Sequence, residues 1–301
     1  MTFRATHIVI LLCGLLCACG TVAPHAALSP AAQGKVSTTE VVMPIRQAEI
    51  YVYVPPAQGG AGFGLIGALI DVSIDSVRAG KAETAVKPLR DAVVDYNFDD
   101  VFKGEITHSL SAVPWMGAGT FRVIKEVTPD TMEKVLTNSQ AGAVLFIAAD
   151  YNLSNDGDEL TVKLYASLFP NNDDLRALKP VKKDSKGAVA LPANALYRNV
   201  LTYKTRIPPA PNGRDGTIAA WSANNGAATR AALGMAAAKL ARLLAEDIQR
   251  TEEDGAAAAK AGTAVKIEGL SGQSIGSDSD GTIVRFADGT LAYVTPSMLA
   301  P

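Results

Sequence analysis

The sequence predicts a single α+β domain: a mixed β-sheet with helices packed mainly on one face, followed by a C-terminal β-hairpin. Three observations predict it. Some stretches alternate strictly between apolar and polar residues, longer ones repeat apolar residues every three or four positions, and a turn signal joins two β-rich runs back to back. The span from 45 to 252 is long enough to bury one core, and no internal repeat divides it.

The elements follow in order. From Glu49, Ile50, Val52 and Val54 share one face and Tyr51 and Tyr53 the other, until Pro55-Pro56 ends the strand. Gly59 to Gly64 form a glycine-rich turn, after which Leu65, Ile66, Leu69, Ile70, Ile74 and Val77 have the spacing of an amphipathic helix. Residues 86–95 fit neither period cleanly, and Ala92, Val93 and Val94 read as a short strand. Asn97 caps a helix whose inward face is Phe98, Val101, Phe102, Ile106, Leu110 and Val113. Phe121 to Ile124 read as a strand, and Thr128-Pro129 opens a helix with a capping hydroxyl and a first-turn proline, closed at Gly142. Val144–Leu153 and Leu160–Phe169 flank Ser154-Asn155-Asp156-Gly157-Asp158 as a hairpin, and another strand covers Val200–Ile207. The longest helix lies between Thr217 and Thr251, kinked near Asn225-Gly226. Its buried stripe is Leu233, Ala236, Ala237, Leu240, Leu243, Leu244 and Ile248, opposite i,i+4 pairs of Arg242, Glu246 and Arg250. Residues 253–281 read as a linker. Ile283–Phe286 and Leu291–Val294 form the last hairpin within 282–301, which is marginal alone and should dock on the domain or on a partner.

Residues 1–18 are a targeting segment. Arg4 precedes the apolar run Ile8 to Leu16, too short to span a bilayer and of the right length for a signal peptide. Leu16-Cys17-Ala18-Cys19 closes that run and resembles the lipobox of bacterial outer-membrane lipoproteins. The resemblance implies cleavage between Ala18 and Cys19, a diacylglyceryl group on the Cys19 sulfur and a third acyl chain, such as palmitate, on its amine. It also implies outer-membrane sorting, because Gly20 stands where the inner-membrane signal carries Asp. Residues 19–44, rich in Ala, Ser, Thr, Pro and Gln, read as a flexible tether.

Composition narrows the chemistry. Cys13, Cys17 and Cys19 are the only cysteines, so the domain after the lipid site has no thiol for a disulfide or nucleophile. The formal charge of −2 and the lack of a basic block make nucleic acid an improbable partner. With His7 in the signal, only His25 and His108 remain, and no ligand spacing suggests a metal.

Motif matches are discounted one by one. Gly62-Phe63-Gly64-Leu65-Ile66-Gly67 fits a dinucleotide fingerprint, but seven residues separate Val54 from Gly62 where the fold needs the glycine directly after the strand. Gly272-Gln273-Ser274-Ile275-Gly276 fits a nucleophile elbow but lies in the linker with no histidine after it. Asp278, Asp280 and Gly281 match the middle of a calcium loop whose position twelve would be Ala287. His108 falls on the polar side of its helix. Asp99-Asp100 and Asp173-Asp174 are neighbours that do not converge on one bond. Trp115 and Trp221 border helices as packing anchors.

The order of elements from 45 to about 170 resembles the sandwich modules of the curli-secretion lipoprotein and the TolB N-terminal domain, with no shared residue motif. The expectation is therefore a non-enzymatic, periplasm-facing outer-membrane lipoprotein, anchored in the lipid bilayer through acylated Cys19, without catalytic residues, cofactor or metal. It would act as an interaction or assembly module with an envelope partner or a second copy of itself, through its glycine-rich entry, its C-terminal hairpin or an open sheet edge. The alternatives are a ligand-binding protein or hydrolase whose site forms only in three dimensions, and an oligomeric secretion-pore component.

Overall fold

A computed structural model describes residues 24–45, 47, 49–53, 76–117, 119–125, 128–179 and 194–299. The signal, the lipid site and the glycine-rich entry at 59–67 lie outside them. A short helix α1 (Pro30–Gln33) leads into strands β1 (Thr39–Pro44) and β2 (Tyr51–Val52), then helices α2 (Ser76–Val93) and α3 (Phe98–Ser111). Strand β3 (Phe121–Ile124), helix α4 (Pro129–Asn138), the hairpin β4 (Ala143–Leu153) and β5 (Glu159–Pro170), and helix α5 (Asp173–Leu178) follow. The second half holds β6 (Tyr197–Arg206), α6 (Gly213–Asp247), α7 (Glu252–Ala261), β7 (Thr263–Ile267), β8 (Leu270–Ser277), β9 (Thr282–Phe286), β10 (Leu291–Val294) and α8 (Pro296–Leu299).

The strands form one mixed sheet in the order β3-β1-β4-β5-β6-β10-β9-β8-β7, with β2 also beside β4. β1 runs parallel to β3 and β4, β4-β5-β6 are antiparallel, and β10 adds parallel to β6. The C-terminal hairpin thus docks on the domain: Leu291 stands beside Leu201, and both are buried.

Alternation divides the two faces. Leu145 and Ile147 of β4, Val162, Leu164, Ala166 and Leu168 of β5, and Leu201 and Tyr203 of β6 point to one side, all buried. On them pack Phe98, Phe102, Ile106 and Leu110 of α3 and Leu233, Ala236, Leu240 and Leu244 of α6. The far side is covered only in patches: Val42, Val144, Phe146 and Phe169 meet Met132 and Val135 of α4, while Ala292 and Val294 meet Met298 of α8. Helices packed mainly on one face are what the patterns predicted.

Local chemistry sets the boundaries. Asn97 Oδ1 accepts from the Asp100 amide at 3.2 Å, and Asp99 and Asp100 favour the positive helix end. Thr128 and Thr131 cap each other reciprocally at the start of α4. The long helix breaks where the sequence suggested. Ala223 is extended, and Asn224, Asn225 and Gly226 all have positive φ, a left-handed turn that asparagine and glycine tolerate best. Gly226 is required twice over, because a Cβ there would lie 2.5 Å from Val93 Cγ1. Across the break Thr229 Oγ1 donates to the Trp221 carbonyl, and Arg230 donates to the carbonyls of Asn225 and Ala92.

Four expectations are corrected. The tether is not free from residue 24 onward: Leu28 is fully buried, Ala32 and Val36 join the core, and β1 lies inside the sheet. An interior strand buried on both faces shows no alternation, which hid Thr39–Pro44. The linker at 253–281 is instead α7 and the β7-β8 hairpin. α7 is opened by a reciprocal Thr251/Asp254 cap, while Gly272 fits between Val284 and Phe286. Residues 92–94 form no strand. Val86 and Leu89 lie buried in α2 and Val93 packs beside them, so tertiary packing overrides β-branched preference. The first strand pairs only over Tyr51–Val52, at Asn152 and Leu153 of β4.

Candidate functional site

β3 ends the sheet: β1 occupies one side and no described strand pairs with the other. Such an edge offers unpaired amides and carbonyls to another chain. Along β3, Arg122 and Ile124 share a face, and α4 presents Thr131, Lys134, Val135 and Asn138, the i, i+3, i+4, i+7 stripe of a helix. With Lys125 these residues line a groove of about 330 Å³. Its floor is apolar and its cationic groups are Arg122, Lys125 and Lys134. Glu40 of β1, nearly buried, holds the Arg122 guanidinium at 2.5 Å. Arg122 Nε is nevertheless buried with no hydrogen-bond partner among the described residues, and such a donor wants an acceptor. Val123, on the other face of β3, is 38% exposed. The spacing of Thr131, Lys134, Val135 and Asn138 was readable in the sequence. That β3 lies at the sheet edge beside α4 was not, because strand order is not a local property.

A second cluster is buried. Asp247 at the end of α6 is 2% exposed, and its Oδ2 accepts from Tyr197 Oη at 2.8 Å and Asn199 Nδ2 at 2.7 Å, both on β6. Burial and the Asp247 charge raise the Tyr197 phenol well above its ordinary range, so it stays a donor. Against this cluster sits His25, with its Nδ1 3.9 Å from Glu252 Oε2 and its ring where a Cβ on Gly289 would stand. Ala26 pairs with Arg198 through two backbone bonds of 2.8 and 2.9 Å. Arg285, nearly buried, fills the space that a Cβ on Gly255 would occupy. The cluster therefore fastens residues 25–28 to β6, α6, α7 and the β9-β10 turn.

Burial holds the His25 imidazole below its ordinary value of 6.5; Arg285 and Arg198 act the same way, and Asp247 and Glu252 oppose it. The sign follows: neutral His25 supports the fold fully above the unfolded value, and that support is lost as pH falls through the lower folded value. Amide hydrogen exchange over residues 24–33 is expected to accelerate as pH falls below the ordinary histidine value of 6.5, beyond the intrinsic rate change. His25→Gln should remove that extra step.

The other sequence candidates are dispersed. Ala18 and Cys19 lie outside the described residues, as does the Gly62–Gly67 match. His108 is exposed on α3. Asp99 is raised by burial and by Asp100, and Asp173 and Asp174 open α5 as helix-start charges. Ser274 lies within β8, not on a strand-to-helix elbow. Asp278 and Asp280 both bind Lys239 at 2.8 Å, which with Tyr293 keeps the Asp278 carboxyl well below the usual range; the Tyr293 phenol, partly desolvated, is pushed up to about 12. Trp221 is buried and donates to the Gly157 carbonyl at 2.8 Å, an anchor as its place in the sequence suggested. Among the described residues no three His, Cys, Asp or Glu side chains gather as a metal site requires, and no helix is long and apolar enough to cross a membrane.

No protein-family model matches the chain, and no curated protein matches it. Among solved structures the chain is similar to the PelC dodecamer from Paraburkholderia phytofirmans, at 14% identity and a TM-score of 0.27, over 75% of this chain and 96% of that one. It is also similar to a single-substitution variant of that dodecamer, at 14% identity and a TM-score of 0.25, over 75% and 95% of the two chains. Overlaps this loose bear on neither fold nor function.

Proposed function

We propose that this chain is a lipid-anchored protein of the bacterial cell envelope, acylated at Cys19 and facing the periplasm from the outer membrane. It acts without catalysis, by taking an extended, acidic segment of a partner chain along β3. The observation that carries the second part is the open β3 edge beside the basic groove. Backbone pairing would supply affinity, and Arg122, Lys125 and Lys134 would select carboxylates. The anchor rests on Leu16-Cys17-Ala18-Cys19. Of the plain secretory cuts the sequence allows, one near Ala27 would remove His25 and Ala26, both seated in the domain, whereas one near Ala23 would leave both in place. The enzyme alternative finds its best buried carboxylate in Asp247, which is committed to two protein donors.

A photo-reactive residue in place of Val123, expressed in intact cells, is expected to crosslink a partner or a second copy. The same residue at Leu178, which is equally exposed at 38%, should not. Lys125→Glu together with Lys134→Glu should abolish the Val123 product while leaving thermal unfolding unchanged. A crosslink that survives both charge reversals refutes the acidic-segment reading.

A further inference from the structure

We infer that the strand received at the sheet edge bonds to the backbone of Phe121, Val123 and Lys125 and presents carboxylates at every second position to the groove beside α4. The inference rests on the acidic-segment reading proposed above and adds its register. Two bonds set the phase of β3: the Val41 amide donates to the Thr120 carbonyl at 2.8 Å, and the Ile45 amide donates to the Ile124 carbonyl at 2.8 Å. Phe121 stands opposite Val41, and Val123 opposite Met43. Successive residues of a strand turn their amides and carbonyls to opposite sides, so Thr120, Arg122 and Ile124 direct theirs to β1. Phe121, Val123 and Lys125 direct theirs outward, where no described strand pairs. From Phe121 to Lys125 the edge runs about 13 Å, enough to pair with about five residues of an extended chain.

Side chains alternate along the same edge, and the two faces differ. Arg122 and Ile124 line the groove with Lys134 and Asn138 of α4. Phe121 and Val123 lie on the opposite face, where Lys103 Nζ of α3 sits 5.5 Å from the centre of the Phe121 ring. An added strand follows the same pleat, so every second side chain enters the groove and those between lie beside Phe121 and Val123. Glu40 already offsets Arg122, which leaves the exposed Lys125 and Lys134 to draw charge from outside. Carboxylates at i and i+2, separated by an apolar residue that covers Val123, match both faces. The β3 of a second copy is a poor occupant, because a two-fold pair would set the lysines of one groove against those of the other. The charge that selects acid thus also guards the edge against its own kind.

In the test, protein purified from membranes in detergent is titrated into the labelled peptide acetyl-Thr-Val-Glu-Val-Glu-Val-Thr and followed by fluorescence anisotropy. This peptide is expected to bind several-fold more tightly than its isomer acetyl-Thr-Val-Glu-Glu-Val-Val-Thr, which puts a single carboxylate on each face. N-methylation of the glutamates, or separately of the valine between them, removes donors on alternate sides of the strand. One form is expected to lose about tenfold in affinity and the other to stay within about twofold, and the form that still binds gives the direction of the strand. Lys125→Glu together with Lys134→Glu should abolish binding of the parent peptide. Where those reversals do abolish it, equal affinity of the two isomers or equal effects of the two methylations overturns the register and leaves the acidic-segment reading standing. Absence of binding, or binding that survives both reversals, overturns that reading and the register with it.

Discussion

Replacing Asp247 with alanine is expected to lower the unfolding free energy by about 3 kcal/mol. Two hydrogen bonds to a charged acceptor are lost, each worth roughly 1.5–3 kcal/mol and not fully additive, and Tyr197 Oη and Asn199 Nδ2 are left in a site with little water. His25 loses a neighbouring negative charge as well. Urea denaturation reads the effect as a fall in midpoint at constant slope. Asp247→Asn keeps one acceptor oxygen and should retain much of the stability. A loss below about 1 kcal/mol for alanine would show that the cluster does not hold the fold together.

Trp221→Ala is expected to be at least as damaging, at about 4 kcal/mol. The side chain is 1% exposed in the main core, and its indole Nε1 is the donor for the Gly157 carbonyl. Gly157 has φ +75° in the β4-β5 turn and is itself buried. Deleting the indole therefore leaves both a cavity beneath α6 and an orphaned acceptor at the hairpin tip. Trp221→Phe fills most of the cavity but supplies no donor, so the difference between the two variants measures the hydrogen bond.

These two residues show what was legible in the sequence. Trp221 lies on a helix with clear apolar periodicity, the hairpin it anchors is announced by Asp156-Gly157, and the break beside it by Asn225-Gly226; all three are local signals. The fold class follows from such signals. Asp247 gave none, because its role depends on Tyr197 and Asn199 of β6 arriving from 48 to 50 residues away. The same holds for His25, which lies in a stretch whose composition reads as a tether. It is held there by Gly289, Arg285 and Glu252, near the other end of the chain. The groove falls between these cases. Its helical stripe was readable, but its use depends on β3 being the edge of a sheet in which β1, missed for want of alternation, is the next strand.

Mass spectrometry of the mature N-terminal peptide, purified from bacterial membranes, tests the central claim most directly. The account predicts a peptide beginning at Cys19 and carrying a diacylglyceryl thioether and an amide-linked acyl chain, from which mild alkali releases only the two ester-linked chains. An unmodified mature N-terminus at any residue, or a chain that still carries residues 1–18, would contradict it.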